Sequence, residues 1–136
     1  MAGESETSAR AALSEFLSQA HTVGRGRVAQ RSAERHLKGE GYRIVGRNWS
    51  CKAGEIDIVA FEGETLCFIE IKARSSAEYG PAVAAVGRQK QGRIARAARW
   101  LLAESHYRGV CRFDVLGLDR EEAGWRYTLV RNAFEA

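Results

Sequence analysis

Asp57 stands in the apolar run Gly54-Glu55-Ile56-Asp57-Ile58-Val59-Ala60, and thirteen residues later the chain reads Phe68-Ile69-Glu70-Ile71-Lys72. Both pieces have the composition of β-strands, yet each carries charge where strands rarely tolerate it. Stripping water from an ion costs several kcal/mol or more, so buried Asp, Glu and Lys are almost never unpaired. Glu70 and Lys72 are two residues apart and share one strand face at a spacing of roughly 7 Å, while Ile69 and Ile71 face the other way. Phosphodiester hydrolysis calls for this combination. It needs a nucleophilic water, neutralisation of the phosphate charge and help for the leaving oxygen, most of which a divalent metal held by two carboxylates supplies. Mg²⁺ is a hard cation that keeps several of its waters, so one or two acidic residues suffice. Asp57 and Glu70 are the candidate ligands, with the backbone carbonyl of Ile71 as a third oxygen. Lys72 would stand beside the phosphate, to stabilise developing charge or to orient or deprotonate water. The plainer alternative is a Glu70–Lys72 ion pair on a solvated sheet face. The apolar flanks of both strands favour the site, because they indicate central strands covered on both sides.

Several elements must position these groups. Residues 1–8 are small and polar and are expected to be disordered; Ser8 could cap a short helix carrying Leu13, Phe16 and Leu17. Gly24-Arg25-Gly26-Arg27 reads as a flexible basic joint, which makes 1–23 a flexible or weakly helical segment and 24–136 a single domain. Helical spacing predicts a helix over 28–38, closed by Gly39 or Gly41. Strands follow at 42–45, extended through 47–49, then at 56–61 and 65–73. The last two flank the turn Glu62-Gly63-Glu64 as an antiparallel hairpin. A loop over 75–81 ends in Gly80-Pro81. The apolar stripe Val83, Val86, Ile94, Ala97, Ala98, Leu101 and Leu102 predicts one long helix over 82–104, weakened at Gly87 and Gly92. Strands at 111–118 and 125–130 close a mixed α/β domain.

The ordered set of motifs resembles a known family. A D-x(n)-E-x-K pattern on a hairpin looks like the PD-(D/E)xK nuclease superfamily, and more narrowly like its YraN-like group, which is similar to archaeal Holliday junction resolvases. The segments that carry the resemblance are Gly41-Tyr42-Arg43-Ile44, Arg47-Asn48-Trp49, Gly54-Glu55-Ile56-Asp57, Phe68 to Arg74, Tyr79-Gly80, Lys90, Arg112-Phe113-Asp114-Val115 and Asn132-Ala133-Phe134. The resemblance implies a restriction-endonuclease-like core with a central mixed sheet of about five strands flanked by helices. It also implies Mg²⁺ or Mn²⁺ as cofactor, DNA (branched forms included) as partner, and a homodimer, since relatives that cut junctions tend to pair two sites. One position departs from the pattern. Members of the group usually carry a helix glutamate where this chain has Gln30, preceded by Ala29. Glu34, one turn further on and on nearly the same face, is a candidate substitute. The departure keeps a second reading open, that of a catalytically weak or inactive module that binds nucleic acid with the same fold.

Lys90, Arg93, Arg96 and Arg99 give the long helix a basic stripe suited to phosphates, and Arg47 and Arg74 flank the proposed site. A solvated helix face reads equally well. Glu55 is read as pointing to the strand face opposite Asp57, and Asp114 as the structural partner of a nearby arginine. Trp49, Trp100 and Trp125 read as packing residues rather than base-stacking platforms. His21, His36 and His106 show no metal-ligand spacing.

Composition sets the outer limits. The 136 residues suit one domain; 45% are hydrophobic and 28% charged, and the formal net charge is +4. That balance permits an anionic partner without requiring one. Cys51, Cys67 and Cys111 have no CxxC pairing and read as reduced packing residues. No apolar stretch approaches the ~20 residues of a membrane span, and the N-terminus has no secretory apolar core. The expectation is a cytoplasmic protein.

Overall fold

A computed structural model describes residues 2–19, 28–75 and 80–135, with the side chains of 2–7 left out. The basic joint 24–27, His21 and the loop residues 76–79, Tyr79 included, lie outside the described residues. Three helices, one short 3-10 turn and five strands follow in the order α1 (Ala2–Gln19), α2 (Val28–Gly39), β1 (Tyr42–Cys51), β2 (Gly54–Glu62), β3 (Thr65–Arg74), the 3-10 turn (Ala82–Ala85), α3 (Arg88–Ser105), β4 (Cys111–Glu121) and β5 (Gly124–Phe134). The strands form one sheet in chain order. Pairing is antiparallel between β1, β2 and β3, parallel between β3 and β4, and antiparallel between β4 and β5. The one parallel step needs a crossover, and α3 provides it. The expected α/β fold, with a five-stranded mixed sheet flanked by helices, is the fold observed.

The sheet is covered on both faces, which is why β2, β3 and β4 read as nearly unbroken apolar runs. On one face Leu13 and Leu17 of α1 and Ile94, Ala98 and Leu101 of α3 pack on Trp49, Ile56, Phe61, Leu66, Phe68 and Val115. On the other, Ala33 and Leu37 of α2 pack on Tyr42, Ile58, Ala60, Ile69, Leu116 and Leu118.

Two expectations are corrected. The first helix starts at Ala2 rather than after Ser8. The helix over 82–104 is two pieces: the 3-10 turn ends at Val86, and Gly87, in extended backbone, is the N-cap of α3. Gly117 explains the break. A side chain there would put a Cβ 2.8 Å from the backbone nitrogen of Val83, so the 3-10 turn lies directly on the sheet beside β4. The backbone N–H of Ala82 donates to Asp119 Oδ1 at 2.9 Å and fixes the same turn.

A buried polar network ties the opposite end of the sheet together. The Asp114 carboxylate, fully buried, accepts from the Tyr42 hydroxyl (2.7 Å), from Arg112 Nε (2.8 Å) and from the Asn132 backbone N–H (2.9 Å). Asn132 has a φ of 53°, and the β4–β5 register slips beside it, so the carboxylate satisfies a donor that the bulge frees. Asp114 is thus the arginine partner expected. Arg112 and Arg131 also bind Glu62.

Candidate active site

The sheet end at which β2 begins and β3 finishes opens into a cleft of about 300 Å³. Its walls are Ala29 and Gln30 from the first turn of α2, Glu55 and Asp57 from β2, Glu70 to Ala73 from β3, and Lys90 from the first turn of α3. Strand pairing builds this opening. The β2–β3 ladder runs from Glu62–Thr65 to Ile58–Ile69 and stops there. Beyond it, the backbone N–H of Ile71 donates to Asp57 Oδ2 at 2.9 Å instead of to a strand carbonyl. The carboxylate of Asp57 is thereby fixed at the rim beside Glu70. Gly54 opens β2 with a φ of 151°, and a Cβ there would approach the Arg93 carbonyl oxygen to 3.3 Å. Only a residue without a side chain lets β2 pass this close under α3.

Asp57 and Glu70 are both buried, at 9% and 4% exposure. Burial first, and then the nearby Asp57 charge, push the Glu70 carboxyl up to about 7, against the opposing pull of Lys90. The Lys90 ammonium lies 2.6 Å from Glu70 Oε1. The plain alternative of a Glu70–Lys72 pair on a solvated face is therefore not what forms: Glu70 is buried, and its ion-pair partner comes from α3. Lys72 is half-buried and lines the cleft.

Of the residues singled out in the sequence, Asp57, Glu70, Ile71, Lys72, Gln30 and Lys90 converge on this one cleft. Glu34 does not line it. Its Oε1 accepts from Arg47 Nε at 2.7 Å, which also engages Arg47. Four helix residues are about 6 Å of rise, enough to carry Glu34 past the cleft that the first turn of α2 faces. Arg93 and Arg96 follow Lys90 along α3 as exposed side chains. Arg74 is half-buried, with a buried Nε that has no hydrogen-bond partner among the described residues. One reading is corrected. Glu55 shares the cleft with Asp57, as the two-residue period of a strand requires. Trp100 is 45% exposed, whereas Trp49 is buried and Trp125, half-buried, lies under the Arg120 guanidinium.

The donor set is hard oxygen only. Among the described residues there is no cluster of three or more His, Cys, Asp or Glu that could hold a metal. Two adjacent buried carboxylates nevertheless suit a largely hydrated Mg²⁺ or Mn²⁺. Burial first, and then the Asp57 charge, raise the Glu70 carboxyl, and a divalent cation held between the two would relieve their repulsion. No described helix is long and apolar enough to cross a membrane, and the three cysteines are free.

Comparison with known proteins adds a family. Residues 29–118, which hold the cleft residues entire, match the Uncharacterised protein family UPF0102. A UPF0102 protein of Parafrankia sp. is 49% identical over 100 residues, covering 73% of this chain and 85% of the relative. One of Frankia casuarinae is 45% identical, covering 80% and 94%. One of Ectopseudomonas mendocina is 37% identical, covering 82% and 94%.

Proposed function

The chain belongs to the UPF0102 family, and because that name carries no activity, we propose from the cleft itself that it is a metal-dependent nuclease that hydrolyses phosphodiester bonds in DNA, branched forms included. The carrying observation is the convergence of Asp57, Glu70 and Lys72 at one sheet end, with a lysine of α3 against the buried glutamate. Its likeness to the PD-(D/E)xK arrangement, and through it to junction resolvases, supports the same reading. Asp57 and Glu70 would hold Mg²⁺ or Mn²⁺, with Ile71 beside them as the possible backbone oxygen. The bound ion would neutralise phosphate charge and acidify its water.

The chain's own residues do the rest. The Ile71 N–H holds Asp57 in place, so the carboxylate does not have to be ordered when substrate arrives. Lys72 supplies a fixed positive charge in a partly buried cleft, where it acts on a phosphoryl oxygen more strongly than it would in water. Lys90 pairs with Glu70 in the metal-free chain, and with a divalent cation held by the two carboxylates its ammonium would be available to a phosphate oxygen. Gln30 offers an amide at the position where the resemblance implies a carboxylate, and it can orient water without taking its proton.

The second reading, a binding module that does not cut, rests on Gln30 itself, since Glu34 is held by Arg47 and does not line the cleft. A cleavage screen over duplex, single-stranded, flap and four-way-junction DNA separates the two. A nuclease cuts with Mg²⁺ or Mn²⁺ and stops in chelator. A binding module keeps its affinity in chelator and shows no turnover with either metal.

A further inference from the structure

Helix α3 carries more than Lys90. Arg93, Arg96 and Trp100 follow one another at i, i+3 and i+7 and therefore share one face of the helix, with Arg99 alongside. All four are exposed, Trp100 by 45%. Among the described residues none of these arginines has an ion-pair partner, so three guanidinium charges lead away from the cleft without neutralisation. The stripe ends on the indole. Trp100 and Glu104 line two depressions in common, one shared with Arg96 and Arg99 and the other with Trp49, Phe16 and Lys52. A large aromatic ring left open between cations is an unusual use of a tryptophan, which elsewhere in this chain is buried or half-covered.

The geometry points to Trp100 as a stacking site for an unpaired nucleobase of the DNA strand whose phosphates run along Arg93 and Arg96 from the cleft. This rests on the nucleic-acid reading of the cleft and deepens it, because it names the substrate class: DNA with a single-stranded or splayed segment. Helical rise puts Trp100 about 15 Å along the axis from Lys90, roughly four steps of a stacked strand at ~3.4 Å each. Every base has a π-face, so such a platform tolerates any sequence, while the arginines on either side hold the adjoining phosphates. In a fully paired duplex the bases are stacked on one another and give the indole nothing to receive. The site therefore selects structure and not sequence.

The test uses the full-length chain in chelator, so that cleavage plays no part. Affinity for a short single-stranded DNA and for a duplex of equal length is measured for the parent, Trp100→Phe, Trp100→Ala and Arg96→Ala, together with indole fluorescence. Trp100→Ala is expected to weaken single-strand binding roughly 5- to 100-fold. Duplex affinity should stay the same, Trp100→Phe should retain most of the binding, and the parent's fluorescence should be quenched by single strands in a way Trp100→Phe is not. Arg96→Ala should weaken both DNA forms and flatten the salt dependence. Unchanged single-strand affinity in Trp100→Ala overturns the inference, as does an equal loss on duplex. It is also overturned if Trp100→Ala turns a dimer into a monomer with DNA affinity intact, because the indole then serves a second copy of the chain. Trp100-dependent binding in a protein that never cuts would leave this site standing and remove the nuclease; cutting that ignores Trp100 would do the reverse.

Discussion

Glu70 is the residue whose environment makes the sharpest demands. Its carboxyl is pushed up to about 7 by burial and by Asp57, so the protonated form is favoured in the fold. That contribution to stability is present at pH values below the ordinary carboxylate range and is lost as pH rises through about 7. A metal ion needs the ionised form. Apparent Mn²⁺ affinity, measured by titration, is therefore expected to rise about fivefold between pH 6 and 7 and to level off above pH 8. A flat profile would mean that Glu70 is not a ligand. Lys90 opposes the rise in the Glu70 pKa, so Lys90→Met should shift the affinity curve to higher pH. Lys72 has a separate role. Lys72→Ala is expected to lower the cleavage rate by about 10²–10³ with DNA affinity nearly kept, read from single-turnover rates beside a binding isotherm.

Individual elements hold these residues in place, and two of their supports can be tested. The 3-10 turn sits on Gly117, opposite Lys72 in the β3–β4 register. Gly117→Val must push that turn off the sheet, along with the start of α3 that carries Lys90. A loss of about 1–3 kcal/mol in denaturant unfolding is expected, with cleavage lost more steeply than stability. At the far end, Asp114→Ala leaves Arg112, the Tyr42 hydroxyl and the Asn132 N–H without their shared acceptor. Removing one partner of such a buried pair costs about 3–5 kcal/mol, enough to unfold much of a small domain. Glu62 gives the same end an acid limit. Hydrogen bonds from Arg131, and then from Arg112, hold its carboxyl down at about 2. That stabilisation is complete above the ordinary carboxylate pKa and fades as pH falls towards 2, so Glu62→Gln should flatten the acid side of the stability curve.

For the molecule as a whole, the strands and the cleft were far more legible in the sequence than the helices were. Asp57, Glu70 and Lys72 stand out in the sequence because charge inside strands covered on both faces must meet a partner. Lys90 was found through family resemblance, and its contact with Glu70 then emerged from the packing of α3. Periodicity could not reveal the break at Gly87, since the apolar spacing runs straight across it, whereas the 3-10 turn before the break packs closely on Gly117. Glu34 was misplaced because sharing a helix face says nothing of the 6 Å between one turn and the next. Composition gives no sign of which tryptophan a fold leaves most open, and here that is Trp100. If the cleft holds DNA as proposed, the basic stripe on α3 predicts binding that weakens steeply with added salt, by about one unit of logarithmic slope for each phosphate held. The central claim meets its most direct test in a cleavage assay on flap and four-way-junction DNA, comparing the parent with Asp57→Ala under Mn²⁺ and under chelator. The account expects the parent to cut only with metal and Asp57→Ala to bind but not cut; equal product from both proteins, or none from either, would contradict it.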